Sequence, residues 1–404
     1  MIKIKERDNG WQSGRAKSIT FIVTKDCQLA CRYCYLVGKN TKERMTWEIA
    51  KAAIDYILEN EAEFREESVI WDFIGGEPFL EIDLIDRICD YLKTEMYRRE
   101  HHWFDSYRFS FSTNGINYHT DKVQRFIQKN MSHLSIGITI DGTKQKHDLN
   151  RVWKDNEKGS YDDVVKNIPL WQDQFPGAPT KVTISSPDLP FIKDSVLHLY
   201  ELGIKEININ CVFENVWKDG DDIIFEKQLI ELADAIIDQG LYKEHTCSFY
   251  AEFVGKPMDH RLDNQNWCGA GMMLSIDAVG NFYPCTRFAA YSLRSKKPII
   301  IGNVKDGIDK NKLRPFLTLD RTTQSPQKCI DCEVASGCAW CQGENYDAAD
   351  TATIYQRSTA ICKMHKARVR ANNYYWNKLF RVLELEGRRE EFERNKPKQT
   401  IEPC

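Results

Sequence analysis

No apolar run in the 404-residue chain approaches the roughly 18 residues a helix needs to cross a bilayer. The opening Met-Ile-Lys-Ile-Lys-Glu-Arg-Asp lacks the apolar core of a secretion signal. The chain is therefore read as cytoplasmic, with no membrane partner. Positive charge is not in excess either: 56 Lys and Arg stand against 59 Asp and Glu, a net charge of -3, which leaves no basic footprint for nucleic acid. Internal repeats and low-complexity linkers are missing. The length suits a barrel-sized domain plus a smaller one. Cysteine is not scarce. Fourteen cysteines in a chain without a secretion signal read as metal ligands rather than as bridges.

Three of them, Cys27, Cys31 and Cys34, sit in Cys-Gln-Leu-Ala-Cys-Arg-Tyr-Cys at the end of the first expected strand. Three thiolates on one loop can each hold one iron of a four-iron cluster and leave the fourth iron open to a small molecule. A zinc knuckle is the competing reading, and it would want a fourth Cys or His nearby. The next cysteine, Cys89, falls in an expected helix.

Strand-like runs recur at 19–24, 69–74, 107–112, 134–140, 181–185 and 207–213, with helical patterns between them. Ala50, Ala53, Ile54, Ile57 and Leu58 share one helix face that Thr46 can cap, and Ile82, Ile85, Ile88 and Cys89 share another. Six β/α units make an α/β fold, a partial (β/α)6 TIM-type barrel, although the periodicity alone also permits an open doubly wound sheet. The polar motifs follow the strands, where a β/α barrel places its chemistry. They are Gly75-Gly76-Glu77-Pro78, Ser112-Thr113-Asn114-Gly115 and Thr139-Ile140-Asp141-Gly142, with His147 and Arg151 beyond. Adjacent glycines let a ligand approach the backbone closely. Asn-Gly and Asp-Gly are equally ordinary turn dipeptides, and His147 is given no role.

The cysteine spacing with Tyr33 before its last member, and the Gly-Gly-Glu-Pro run after the next strand, resemble the radical S-adenosylmethionine (SAM) superfamily. The resemblance implies that Cys27, Cys31 and Cys34 hold a 4Fe-4S cluster whose open iron binds SAM, which is cleaved to a hydrogen-abstracting 5'-deoxyadenosyl radical. It also implies SAM contacts from Tyr33, Gly75, Gly76, Glu77, Ser112, Thr139 and Arg151. Glu77 would take the amino group and Arg151 the carboxylate, which a guanidinium matches with two donors.

Seven cysteines return between positions 268 and 362: Cys268, Cys285, Cys329-x2-Cys332-x5-Cys338-x2-Cys341, and Cys362. Two Cys-x2-Cys pairs are also a zinc-ribbon pattern. The set resembles the C-terminal SPASM domain of radical SAM maturases, with the last gap of the quartet one residue shorter than usual. Carried over, Cys329, Cys332, Cys338 and Cys362 ligate an outer auxiliary cluster, and Cys268, Cys285 and Cys341 an inner one, making three 4Fe-4S clusters in all. The implied division is 1–18 extension, 19–215 partial barrel, 216–262 connecting helical segment, 263–370 SPASM domain and 371–404 C-terminal helix and tail. After about Phe380 the chain, rich in Glu, Arg and Lys, reads as a solvated helix and a disordered end. Cys89, Cys211, Cys247 and Cys404 read as structural, with Cys247 placed where it could reach the inner cluster.

Sulfatase-maturing members of the family have an Asp base directly after the Tyr-Pro-Cys of this region, where Thr286 stands here. The better resemblance is to maturases of ribosomally made peptides that form Cys sulfur-to-carbon thioethers. Carbon-carbon crosslinking and formylglycine formation are the alternatives, and an electron-transfer protein without catalysis is the rival of another class. The partners implied are a precursor peptide and an electron donor such as flavodoxin or ferredoxin. With about 18 residues before the first strand a leader-binding domain is not expected, so leader recognition falls to the barrel rim, a short N-terminal strand or a separate leader-binding protein.

Overall fold

The computed structural model describes residues 15–259, 261, 264 and 268–396. The expected extension 1–18 falls mostly outside these, as does Cys404. All six expected strands form: β1 (Ala16–Thr24), β2 (Ser68–Gly75), β3 (Tyr107–Thr113), β4 (Leu134–Ile138), β5 (Thr180–Ile184) and β6 (Glu206–Cys211). Five short strands follow: β7 (Thr246–Cys247), β8 (Leu274–Ile276), β9 (Asn281–Tyr283), β10 (Gly302–Asn303) and β11 (Gly307–Ile308). β4 ends before Thr139 and Ile140, which the sequence pattern had included.

The chain forms two compact units. The first comprises the residues up to Ala30, Cys34–Ile138 and Gly269–Thr318. Its sheet runs β11-β10-β9-β8-β1-β2-β3-β4, with β1 to β4 parallel, β8 parallel to β1, and β9 to β11 antiparallel. Helices α1 (Trp47–Glu59), α2 (Ile82–Arg98) and α3 (Asp121–Asn130) connect the parallel strands. The Thr46 side chain caps α1 by accepting from Ile49 N, and the five residues assigned to its inner face are its five buried ones. One sheet face is aromatic: Phe21, Phe73 and Phe111 stand in register on adjacent strands and stack at 5.8 and 5.1 Å. Each such buried ring contributes roughly 1.5 to 3 kcal/mol. Because side chains alternate along a strand, the opposite face carries the polar row Thr20, Asp72, Ser110, Ser135.

The second unit comprises Cys31–Tyr33, Thr139–Cys268 and Leu319 onward. Its parallel sheet has the order β5-β6-β7, and the helices Asp221–Asp238 and Cys362–Val382 belong to it. The helix Glu386–Arg394 is solvated as expected after Phe380, apart from Phe392, and the disordered end expected beyond it lies outside the described residues. Phe380 and Phe392 are both buried, with their rings 5.8 Å apart, because one apolar residue in a charged helix is enough to dock it. Among the described residues no helix is long and apolar enough to cross a membrane.

Candidate functional site

The loop after β1 is held by its own backbone. Asp26 N donates to Thr24 Oγ1 (3.1 Å), Cys27 N to Asp26 Oδ1 (2.9 Å) and Leu29 N to Cys27 Sγ (3.3 Å), and buried Leu29 anchors the turn. The next strand's loop locks onto it: Gly76 N donates to Thr24 O and Glu77 N to Asp26 O, both at 2.9 Å. A Cβ on Gly75 would lie 2.1 Å from Thr24 O, and one on Gly76 2.1 Å from Asp26 O. The bareness expected to admit a ligand is thus already required by the cysteine loop's own backbone.

Glu77 is buried. It accepts from Phe79 N (3.1 Å) and Thr113 Oγ1 (2.7 Å) at Oε1, and from Asn114 N (2.7 Å) at Oε2. Asn114 Nδ2 donates to Gln28 Oε1 (3.1 Å) and lies 3.9 Å from Cys27 Sγ. The loops after β1, β2 and β3 are therefore one hydrogen-bonded assembly. Sequence reading singled out Ser112, which is exposed. It passed over Thr113 and Asn114, whose signal was their place at the very end of the strand.

In the second unit Asp141 is fully buried. It accepts from the Tyr33 hydroxyl and, at 3.1 Å, from Thr183 N, and Arg151 Nη1 donates to the Tyr33 hydroxyl (3.0 Å). Burial pushes the Asp141 carboxyl up, but Lys146, Arg151 and the Tyr33 hydrogen bond outweigh it and hold it below the usual carboxylate range. Asp141-Gly142 is therefore more than a turn dipeptide. His147, given no role from the sequence, is fully buried, receives Asp141 N at Nδ1 (3.3 Å) and meets Ser160 Oγ at Nε2 (3.0 Å). Burial, then the Arg151 charge, lowers it to about 3, so it is neutral near pH 7. Thr139 is half-buried just past β4.

Cys329, Cys332, Cys338 and Cys362 all belong to the second unit. Burial pushes the Cys338 thiol up, Arg357 lowers it, and Cys332 and Cys329 raise it further, which marks these groups as neighbours. Arg321 Nη2 donates to Cys329 O (2.8 Å) and Ile330 O (2.6 Å), fixing the Cys-x2-Cys turn. Cys268 Sγ accepts from Gln342 N at 3.5 Å, directly after Cys341. Cys268 and Cys341 lie in the second unit and Cys285 in the first. Cys89, Cys211 and Cys247 are reduced, and burial pushes the Cys211 thiol to about 12 and that of Cys247 to about 11.

Among the described residues no three His, Cys, Asp or Glu side chains converge as the ligands of a single ion would. Ligands of a four-iron cluster hold different irons and need not converge on one point. Buried polar atoms without a hydrogen-bond partner support a missing group: Arg151 Nε by the Tyr33 network, and Trp340 Nε1 with both ends of the Gln342 amide flanking Cys341. Such atoms are costly unless something pairs with them.

The Radical SAM superfamily matches the chain over residues 21–212. The radical SAM cyclopropyl synthase TigE of Paramaledivibacter caminithermalis is 22% identical over 361 residues, 83% of this chain and 70% of that protein. Among solved structures, native anSMEcpe with bound AdoMet and Cp18Cys peptide has a TM-score of 0.66 at 17% identity, covering 92% of this chain and 99% of that one. Streptococcus suis SuiB bound to its precursor peptide SuiA has a TM-score of 0.57 at 15% identity, covering 85% and 75%. These structures share the fold, an α/β partial barrel of the SPASM-type radical SAM enzymes. A family match that runs across the cysteine loop and all six principal strands gives the chain a radical SAM domain over residues 21–212, of the kind that works with SAM and a 4Fe-4S cluster.

Proposed function

We propose that the enzyme matures a ribosomally made peptide by joining a cysteine sulfur to a carbon as a thioether. The observation that carries the reading is a count. Between positions 268 and 362 stand seven cysteines, whereas two closed four-iron clusters take eight. With Cys329, Cys332, Cys338 and Cys362 on the outer cluster, the trio Cys268, Cys285 and Cys341 leaves one inner iron for a soft ligand, and a substrate thiolate suits iron. Thr286 supports the reading. A formylglycine-forming enzyme would carry a carboxylate base at that place, while the Thr286 hydroxyl bonds Tyr35, whose own hydroxyl is pushed up to about 12 by burial and by Cys34.

When bound, SAM and the cluster held by Cys27, Cys31 and Cys34 supply a hydrogen-abstracting radical. The chain's own groups bind and orient. Glu77 takes the SAM amino group while tied to Thr113 and Asn114. Arg151 takes the carboxylate, held in place by Tyr33 and Asp141. Ser112 and Thr139 serve the ribose or carboxylate, and Gly75 and Gly76 keep the cysteine loop close. The partners in this reading are the precursor peptide and a low-potential electron donor.

A second reading has one observation in its favour: TigE is named a cyclopropyl synthase, and forming a cyclopropane joins carbon to carbon. Mass spectrometry with thiol counting separates the two. Thioether formation removes two hydrogens and one titratable thiol from the peptide, and changing the donor Cys to Ser abolishes the crosslink. Loss of two hydrogens with every thiol retained overturns the thioether reading.

Glu77→Ala is expected to weaken SAM binding by roughly 10- to 150-fold, the scale of losing a hydrogen bond to a charged group, with iron content unchanged. Equilibrium dialysis with labelled SAM checks it, and wild-type affinity in the variant counts against the assignment.

A further inference from the structure

A polar cavity of about 410 Å³ opens in the second unit, lined by Asn215, Asn345, Gln356, Arg357, Ser358 and Thr359 with three alanines, Ala348 among them. Arg357 is the one charged residue in this lining, and only 9% of it is exposed. Its guanidinium lies 4.3 Å over the Trp340 ring. Nη2 donates to Cys338 Sγ (3.2 Å) and Nη1 to Ser325 Oγ (3.4 Å), so two of its five N–H groups are used. Asn345, 2% exposed, accepts from Ser358 N at Oδ1 (3.0 Å). That bond sets which end of the amide is the donor, and the donor Nδ2 is buried without a partner. A cavity whose lining offers one cation, an orphaned amide donor and no anion suits a flat anion with two acceptor oxygens. It is also roomy enough for the side chain or chain end that carries one.

We propose that this cavity is a carboxylate-binding site on the enzyme, and that its occupancy is felt by the outer auxiliary cluster, because Arg357 is shared between the bound carboxylate and the Cys338 sulfur. The second half rests on reading Cys338 as a cluster ligand. A hydrogen bond to a cysteine sulfur is one of the groups that set a cluster's reduction potential. A carboxylate that draws the guanidinium toward itself weakens that bond and lowers the potential. The carboxylate is either that of an acidic side chain or that of a chain terminus.

Calorimetric titration of the reconstituted enzyme tests the site with two probes: N-acetylglutamate α-amide, which carries a side-chain carboxylate, and N-acetylglycine, which carries a terminal one. Saturable binding of either is expected, and the tighter probe assigns the source. Arg357→Gln should weaken it roughly 10- to 150-fold. Ala348→Trp, at an exposed lining position that leaves the Arg357–Cys338 bond intact, should block it sterically. Absence of saturable binding, or equal affinity in wild type and both variants, overturns the site. Redox titration followed by electron paramagnetic resonance tests the coupling: saturating probe should lower the midpoint of one auxiliary cluster in wild type and not in Ala348→Trp. Binding without that shift, in enzyme that retains its full iron, overturns the coupling. Binding in enzyme that lacks the outer cluster's iron supports the carboxylate site independently of the coupling.

Discussion

Replacing Cys27, Cys31 and Cys34 together by alanine is expected to abolish 5'-deoxyadenosine formation while the protein keeps about eight of roughly twelve irons, since two auxiliary clusters of four would remain. The whole activity is at stake because the three thiolates are the only protein ligands this loop offers. Of the bonds that hold the loop, the three cysteines supply one, from Leu29 N to Cys27 Sγ. Its turn is set by Thr24 Oγ1, Asp26 Oδ1 and the two backbone bonds from Gly76 and Glu77, so the variant should fold. Iron analysis and product chromatography on reduced, reconstituted protein decide the matter. Undiminished SAM cleavage would remove the cluster from this loop, and iron falling to zero would argue that the auxiliary clusters do not exist as assigned.

The second large effect is expected at Asp141. Removing one partner of a buried charge pair leaves the other uncompensated and costs about 3 to 5 kcal/mol. Asp141→Asn would do this to Arg151, while Lys146 keeps its ion pair with Asp188 at 3.7 Å, and would also slacken Tyr33, whose hydroxyl links Asp141 to Arg151. Urea unfolding should show the loss of stability, and SAM affinity should fall with it, because Arg151 loses the group that orients it. A structural role alone would move the first readout and not the second. The pH dependence has a definite sign. The folded carboxyl is held below its unfolded value near 3.9, so its contribution is complete above that value and is lost as pH falls through the folded one. The stability gap between wild type and variant should therefore be widest near neutrality and narrow below about pH 4. An unchanged gap down to acid pH would mean that Asp141 is not the ionised hub.

What could be read without coordinates was local. The Cys-x3-Cys-x2-Cys loop, the two α1 and α2 faces and the Thr46 cap each depend on residues a few positions apart, and the structure places the faces and the cap as the pattern implied. Strand periodicity located all six principal strands. It missed β7 to β11, because strands of two or three residues carry no period to detect. The charged composition after Phe380 located a solvated helix but gave no sign that Phe392 docks, since a single apolar residue makes no period.

By itself the sequence determined the chemistry available at each position: thiolates in threes, a glutamate after two glycines, an arginine beyond the fourth strand. The tertiary structure decided which of these meet. Tyr33 reaches Asp141 across 108 positions, Glu77 reaches Thr113 across 36, and Arg151 reaches Tyr33 across 118. A hydrophobic period tells which face of an element is buried but not what it is buried against, and hydrogen bonds between loops at the ends of different strands leave no period at all.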